Sequence, residues 1–348
     1  MPRPRLAAAF FCLLVLTTAS APLAAQVELQ PGDSVQAAID AADPGAVISL
    51  AGGLYPGDVD FGGKALTLLG SGPHTVLQGS GSGPVVRFEN GEGHDTILDG
   101  LTVTGGQASQ GGGILIVGAD PTIVRCVITG NQTTGSGSGI HVAGGSQARL
   151  FNNVVSYNSR DDAGDPHGIQ VVGSSPAIVN NTIVRNDSNG ILVSGGSPLI
   201  MNNVIASNGS VVGGAARGRG ICDFSGGGAT LVANLFHRNR VSAVLRDGKD
   251  WRRITALQKK NNDPLVLGNV DGRPGFVRNP PRKASAVSCH DLAVCDTSKG
   301  RAVDAGFDDE ACRDLDGSRN TIGHTGGPFA PGSRTLPGDE HCSPPVGS

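Results

Sequence analysis

Ionisable side chains crowd one short stretch of the sequence, Ser159 to Gly168, where Arg160, Asp161, Asp162, Asp165 and His167 fall within eight residues. His167 is the residue type suited to general acid or base work near neutral pH. Asp162 and Asp165 would form the carboxylate pair of a glycoside hydrolase only with their carboxyls about 5 to 10 Å apart across a sugar. The same acidic loop could instead hold Ca²⁺ or a sugar hydroxyl. A plainer reading stands beside these, in which Asp165-Pro166 makes a turn and His167 merely precedes a strand. A second stretch, Gly213 to Gly220, carries Arg217 and Arg219. A guanidinium can grip a carboxylate with two parallel hydrogen bonds, as an anionic polysaccharide would require, or can stay solvated in a Gly-rich loop.

What must position these residues is a repeat. The phrase PTIVRCVITGN from Pro121 returns as ARLFNNVVSYN, PAIVNNTIVRN, PLIMNNVIASN and ATLVANLFHRN, starting at Ala148, Pro176, Pro198 and Ala229. Between the copies lie Gly-Ile pairs beginning at Gly113, Gly139, Gly168, Gly190 and Gly220, spaced 26, 29, 22 and 30 residues apart. Internal repetition of this length means stacked coils that differ in their loops. Each coil holds three short period-two segments, and stacking pairs each segment with its copies at about 4.8 Å. The expected inward rows are Ile114, Ile140, Ile169, Ile191 and Ile221; Ile123, Leu150, Ile178, Ile200 and Leu231; and Ile128, Val155, Ile183, Ile205 and Phe236. A column of Asn153, Asn181, Asn203 and Asn234 marks the corner between the second and third segments, with Cys126 and Gly100 in its earlier places. There Asn would tolerate φ > 0 and pass amide hydrogen bonds from coil to coil.

The composition agrees with many turns and few helices. The 348 residues include 54 Gly and 21 Pro, and Lys plus Arg at 27 nearly balance Asp plus Glu at 30. Disordered chains carry more net charge and fewer apolar residues. A nucleic-acid partner would need clustered Lys and Arg, and only short basic patches occur. Arg3 and Arg5 precede an apolar run over Leu6 to Leu16 and small residues through Ala24 and Ala25, the layout of a secretory signal peptide. No later stretch is long enough to span a membrane. Cys289, Cys295, Cys312 and Cys342 crowd the C-terminal part, where export would permit disulfides of undetermined pairing. Cys126 and Cys222 read as buried thiols.

The repeat resembles a bacterial secreted right-handed parallel β-helix of the pectin-lyase-like type, over roughly residues 27 to 330. VELQPGDSVQAAIDAADPGAVISLAGGLY, with a short amphipathic helix around Val35 to Ala42, resembles the N-terminal cap of such proteins. NNDPLVLGN from Asn261 and RAVDAGFDDEACRDLDGSRNTIGHTGGP from Arg301 resemble their closing tail. The resemblance implies an all-β fold: a single-stranded right-handed parallel β-helix (solenoid) with an N-terminal amphipathic helix cap and an irregular, disulfide-stapled C-terminal segment. The implied layout is a signal peptide at 1–25, the capped β-helix at 26–245, final coils and a C-terminal cap at 246–330, and a flexible tail at 331–348. The fold hosts many activities and assigns none.

In the enzymes that share this resemblance, substrate lies along the first strand, here the Gly-Ile strand, whose outward row is Leu115, His141, Gln170, Leu192 and Cys222. Asp223 breaks the apolar row Ile116, Val142, Val171 and Val193, and either caps a distorted final coil or faces the groove. Asp165-Pro166-His167 is similar to the Asp-Pro-His motif of mannuronan C5-epimerases, which implies proton exchange at C5 by His167 and substrate holding by Asp165. The Tyr of that motif, three residues before the Asp, is Asp162 here. The expected site therefore has His167 and Asp165 as catalytic groups, with Arg217, Arg219, His141, Gln170, Asp162, Arg160 and Asp223 binding substrate. The implied partner is an extended, acidic polysaccharide or glycan. The expected function is that of a polysaccharide lyase or epimerase, or else that of a non-catalytic surface or matrix protein that binds glycan with the same face. No metal or other cofactor is expected, Ca²⁺ being the one cation the acidic loops could take. Asp314-Leu315-Asp316-Gly317 starts like a Ca²⁺ loop, but Ser318 replaces the third alternating carboxylate and the pattern reads as a turn network. Lys249, Arg252, Arg253, Lys259 and Lys260 surround Trp251 in a basic patch suited to acidic glycan or cell-wall contact.

Overall fold

The computed structural model describes residues 26–160, 166–226, 228–261 and 265–274. The expected export signal at 1–25, Asp162 and Asp165, the four C-terminal cysteines, the Asp314 loop and the tail from 331 lie outside the described residues.

The chain winds into a right-handed parallel β-solenoid of about seven turns. Three parallel sheets run its length. The Gly-Ile sheet contains Val86–Phe88, Ile114–Val117, Ile140–Ala143, Ile169–Val172, Ile191–Ser194, Ile221–Asp223 and Val244–Arg246. The second sheet stacks ten strands from Gln26–Leu29 to Val266–Leu267, and the third stacks nine from Gly53–Pro56 to Val270–Asp271. All three expected inward rows are in register, with Ile114 on Ile140, Ile123 on Leu150 and Ile128 on Val155. Every one of those fifteen side chains is buried. At about 1.5 to 3 kcal/mol for each fully buried aliphatic side chain, these rows dominate the stabilisation.

Asparagines fix the corners. Asn153 donates from its backbone N (2.9 Å) and from Nδ2 (3.0 Å) to Oδ1 of Asn181, and its Nδ2 also donates to the Ile123 carbonyl at 2.9 Å. The pattern passes from Asn181 to Asn203, Asn234 and Asn269, and it begins with the Cys126 N–H on Asn153. The left-handed conformation, however, falls one residue earlier than the sequence pattern implies. It is carried by Arg125, Asn152, Asn180, Asn202 and Ala233, with φ between 50° and 57°, and Gly100 belongs to this column and not to the ladder. The corner residue turns the chain while the next residue bonds, so the Asn-Asn pair divides two tasks.

A second ladder, absent from the sequence reading, runs through Asn131, Asn158, Asn186, Asn208 and Asn239 at the corner that leads back to the Gly-Ile strand. It explains the glycine of each Gly-Ile pair. A Cβ on Gly139 would lie 2.3 Å from the Gly168 carbonyl oxygen and 2.9 Å from Asn158 Nδ2.

Both ends are closed. At the N-terminal end, α1 (Val35–Ala41) buries Val35 and Ile39, and Ser34 caps it by accepting from the Ala37 N–H. At the other end, α2 (Ile254–Asn261) buries Ile254 and Leu257. Its Gln258 accepts from Asn269 through both N and Nδ2, taking the place of a further ladder asparagine. The last Gly-Ile strand, Val244–Arg246, turns through Asp247 and Gly248, both with φ > 0, into the antiparallel strand Lys249–Trp251. Two adjacent residues of positive φ form the turn that suits a two-residue hairpin. Trp251 is buried there, with the Lys249 ammonium 4.4 Å from its ring centroid.

Candidate ligand-binding site

The expected groove residues do not line an open groove. Along the outward row of the Gly-Ile strand, His141 is 3% exposed, Gln170 7% and Cys222 3%. The segment before the Ile140–Ala143 strand folds back over this face, and a Cβ on Gly137 would stand 3.2 Å or less from both Gln170 and His141. That segment is itself ordered as a strand. Gln107–Gln110, Gln132–Ser136 and Ser159–Arg160 form a small parallel sheet over the corner. Beneath this cover the Gln170 Oε1 and His141 Nδ1 are 3.1 Å apart. With the amide oxygen accepting, His141 carries a proton on Nδ1. Burial lowers the His141 pKa, against the opposing pull of the Gln170 hydrogen bond.

His167 is deeper still, at 1% exposure. Its carbonyl accepts from Ser138 Oγ at 3.2 Å, and its Nδ1 lies 3.3 Å from Asn189 Nδ2. The Asn189 amide orientation is fixed on its other side, where Oδ1 accepts from the Arg219 N–H at 2.8 Å. Nδ2 must therefore donate toward His167, whose Nδ1 accepts. Ser138, His167, Asn189, Arg219 and Ser242 all occupy the residue just before the Gly-Ile position of successive coils. Together they make a polar column up the edge of the sheet. The repeat alignment contains this column in plain view, yet the sequence reading followed the Gly-Ile pair and passed over its predecessor.

The column opens to solvent at Asn189. A depression of about 290 Å³ is lined there by Ser188, Asn189, Arg217, Gly218 and Arg219. The arginines reach it from a hairpin, Val211–Val212 with Ala215–Ala216, turned by Gly213 and Gly214 at φ 56° and 80°. Arg219 points its fork at Asp250, with Nε and Nη2 at 2.6 and 2.9 Å, and Ser242 Oγ donates to the same carboxylate at 2.8 Å. The Arg219 hydrogen bond holds the Asp250 carboxyl below its ordinary pKa and raises that of Arg219. Arg219 is thus an anchored wall, and exposed Arg217 is the cation turned to the depression.

Arg160 sits half-buried at the end of the small sheet, near enough to Asp187 for its charge to act there. Burial raises the Asp187 pKa, and the charge of Arg160 opposes this. Asp187, Asn189 and Asp250 are the polar groups that sequence reasoning missed. Asp223 is corrected outright: it faces the lumen, not the groove. It is 3% exposed, accepts from the N and Oγ of Ser225, and is ion-paired with buried Arg246. The structure therefore brings His167, Arg217 and Arg219 together through Asn189, places Arg160 near Asp187, pairs His141 with Gln170 under cover, and removes Asp223 to the core. Among the described residues no three His, Cys, Asp or Glu side chains gather as a metal-ligating set, and no helix is long and apolar enough to cross a membrane.

Comparison with known proteins gives one family match. Residues 76–241 match the family model of the right handed beta helix region. Among solved structures, the crystal structure of pectate lyase Pel9A aligns over 86% of this chain and 95% of its own, at 15% identity and a TM-score of 0.43. The curated proteins contain no match.

Proposed function

We propose that this chain, a right-handed β-helix over the family-matched residues 76–241, binds an extended acidic polysaccharide along the edge of its Gly-Ile sheet. The observation that carries the reading is the depression at Asn189, where the polar column meets Arg217 and the Asp250-anchored Arg219. A rigid coil stack presents the cation at a fixed height, so binding costs little ordering of the scaffold.

Binding without catalysis is favoured over C5 chemistry. A general base must come within hydrogen-bond reach of the proton it takes, and the His167 and His141 rings are both almost wholly covered. The proposal includes export, on the strength of the charged, apolar and small-residue order of residues 1–25.

Calorimetric titration with oligogalacturonate, oligomannuronate and a glycosaminoglycan tests the reading. At least one should bind, and Arg217→Ala should weaken it about tenfold, a loss typical of a charge-assisted contact. The same mixtures followed at the absorbance of unsaturated uronates, and in D₂O for exchange at C5, should stay silent. Turnover in either assay would replace the binding reading with a lyase or epimerase, and no binding to any of the three would end both.

A further inference from the structure

The corner after the last full strand of the third sheet, His237 to Asn239, faces the start of α2 across a cavity of about 340 Å³. Its walls bring Arg238, Arg252 and Arg253 around half-buried His237, over a floor that includes buried Phe236. All three arginines are exposed, and among the described residues none of them makes an ion pair. The carboxylate on the wall, Asp271, is committed elsewhere. It accepts from the N–H groups of Ile254 and Thr255 at 3.1 and 3.2 Å and from Thr255 Oγ1 at 2.7 Å, capping α2 from a neighbouring strand.

We propose that this cavity binds a tetrahedral oxyanion, a phosphate or sulfate group, between Arg238 and the Arg252–Arg253 pair. Three forks offer more N–H donors than the two oxygens of a carboxylate can use, whereas a tetrahedral group presents three or four acceptors. The helix terminus contributes little, since Asp271 already satisfies its first N–H groups, so the arginines supply the attraction. His237 reports the same field: its pKa is lowered by burial and then by Arg238 and Arg273. Arg252, Arg253 and Asp271 are the other charged groups on the cavity wall. A bound anion would oppose the lowering, and by linkage the anion would bind more tightly as the pH falls through the His237 titration. The cavity shares no lining residue with the depression at Arg217, so the two sites stand or fall separately.

The experiment uses the full chain, with inorganic phosphate and inorganic sulfate titrated separately by calorimetry and acetate as the carboxylate arm. His237 is followed by NMR. Phosphate or sulfate should bind and raise the His237 pKa, and Arg252→Ala with Arg253→Ala should weaken binding about tenfold or more while Arg217→Ala leaves it unchanged. Arg252→Lys with Arg253→Lys, which keeps the charge and loses the fork, should fall between the two and guards against misfolding of the alanine variant. Phosphate in preference to sulfate would identify the source as a phosphate ester, and the reverse order a sulfate ester. Equal binding of acetate, binding that survives the double alanine change in a folded protein, or no binding of either tetrahedral anion would overturn the proposal.

Discussion

Arg246 Nη1 lies 3.3 Å from Asp223 Oδ2 inside the lumen of the solenoid, with the two side chains 1% and 0% exposed. Arg246 Nη1 also donates to the Ala229 carbonyl at 2.8 Å. An ion pair so placed costs much to desolvate and holds only while both members are present. Asp223→Ala should therefore lower unfolding free energy by about 3 to 5 kcal/mol, read from urea denaturation. The double change Asp223→Val and Arg246→Leu, which extends the apolar row, should recover most of that loss. A single variant as stable as the parent would mean that the pair contributes nothing.

Removing one amide from the ladder breaks more than one bond. Asn181→Ala deprives the Asn153 N and Nδ2 of their shared acceptor and leaves the Leu150 carbonyl without its 2.8 Å donor. With about 1 to 3 kcal/mol for each buried polar group left unsatisfied, the urea midpoint should drop sharply with little change in slope.

The pH dependence of stability has a definite sign. The folded pKa of His141 is depressed, so the unfolded chain takes up its proton first as pH falls. Stability is full above the unfolded value, about 6.5, and is lost as pH falls from there through the folded pKa. His237 acts in the same direction. Asp250, also depressed, loses its contribution only below about pH 4, whereas Asp187, raised by burial, contributes stability that fades as pH rises from that region. Melting temperatures at pH 7.5 and 5.5 should differ less in His141→Gln than in the parent, and an unchanged difference would remove His141 from the account.

Cys126 gives a chemical readout of the intact stack. Burial pushes its thiol up to about 12, and its Sγ lies 3.3 Å from the Val124 carbonyl oxygen. Since the thiolate is the reactive species, alkylation of Cys126 at pH 8 should track global unfolding in urea. Labelling of native protein within minutes would show that the coils open locally.

The three inward rows were legible because one apolar position recurs in every coil and each strand is too short for any other choice to bury it. The first asparagine ladder was legible for the same reason. The second was hidden at the end of each repeated phrase, where Asn131, Asn158 and Asn186 look like loop residues. The site was less legible because exposure is not a property of one coil. His141 and Gln170 sit on an outward row, but the cover above them comes from the preceding segments. Asp223 broke an apolar pattern, and nothing local to it announces a lumenal partner twenty-three residues later. The Asp247-Gly248 turn carried its own signal, a two-residue hairpin dipeptide, which the search for parallel repeats passed over.

That turn has a consequence for the size of the particle. A stack of near-identical coils has no intrinsic length, and each new coil makes an edge as adhesive as the one it covers. Here the Lys249–Trp251 strand runs against the direction of its sheet, while α2 lies over the other edges and Gln258 takes the final asparagine. A further copy arriving end-on would meet a reversed strand and a helix where its own register calls for a parallel neighbour. At this edge the reversed strand and the helix thus work against the addition of another parallel coil.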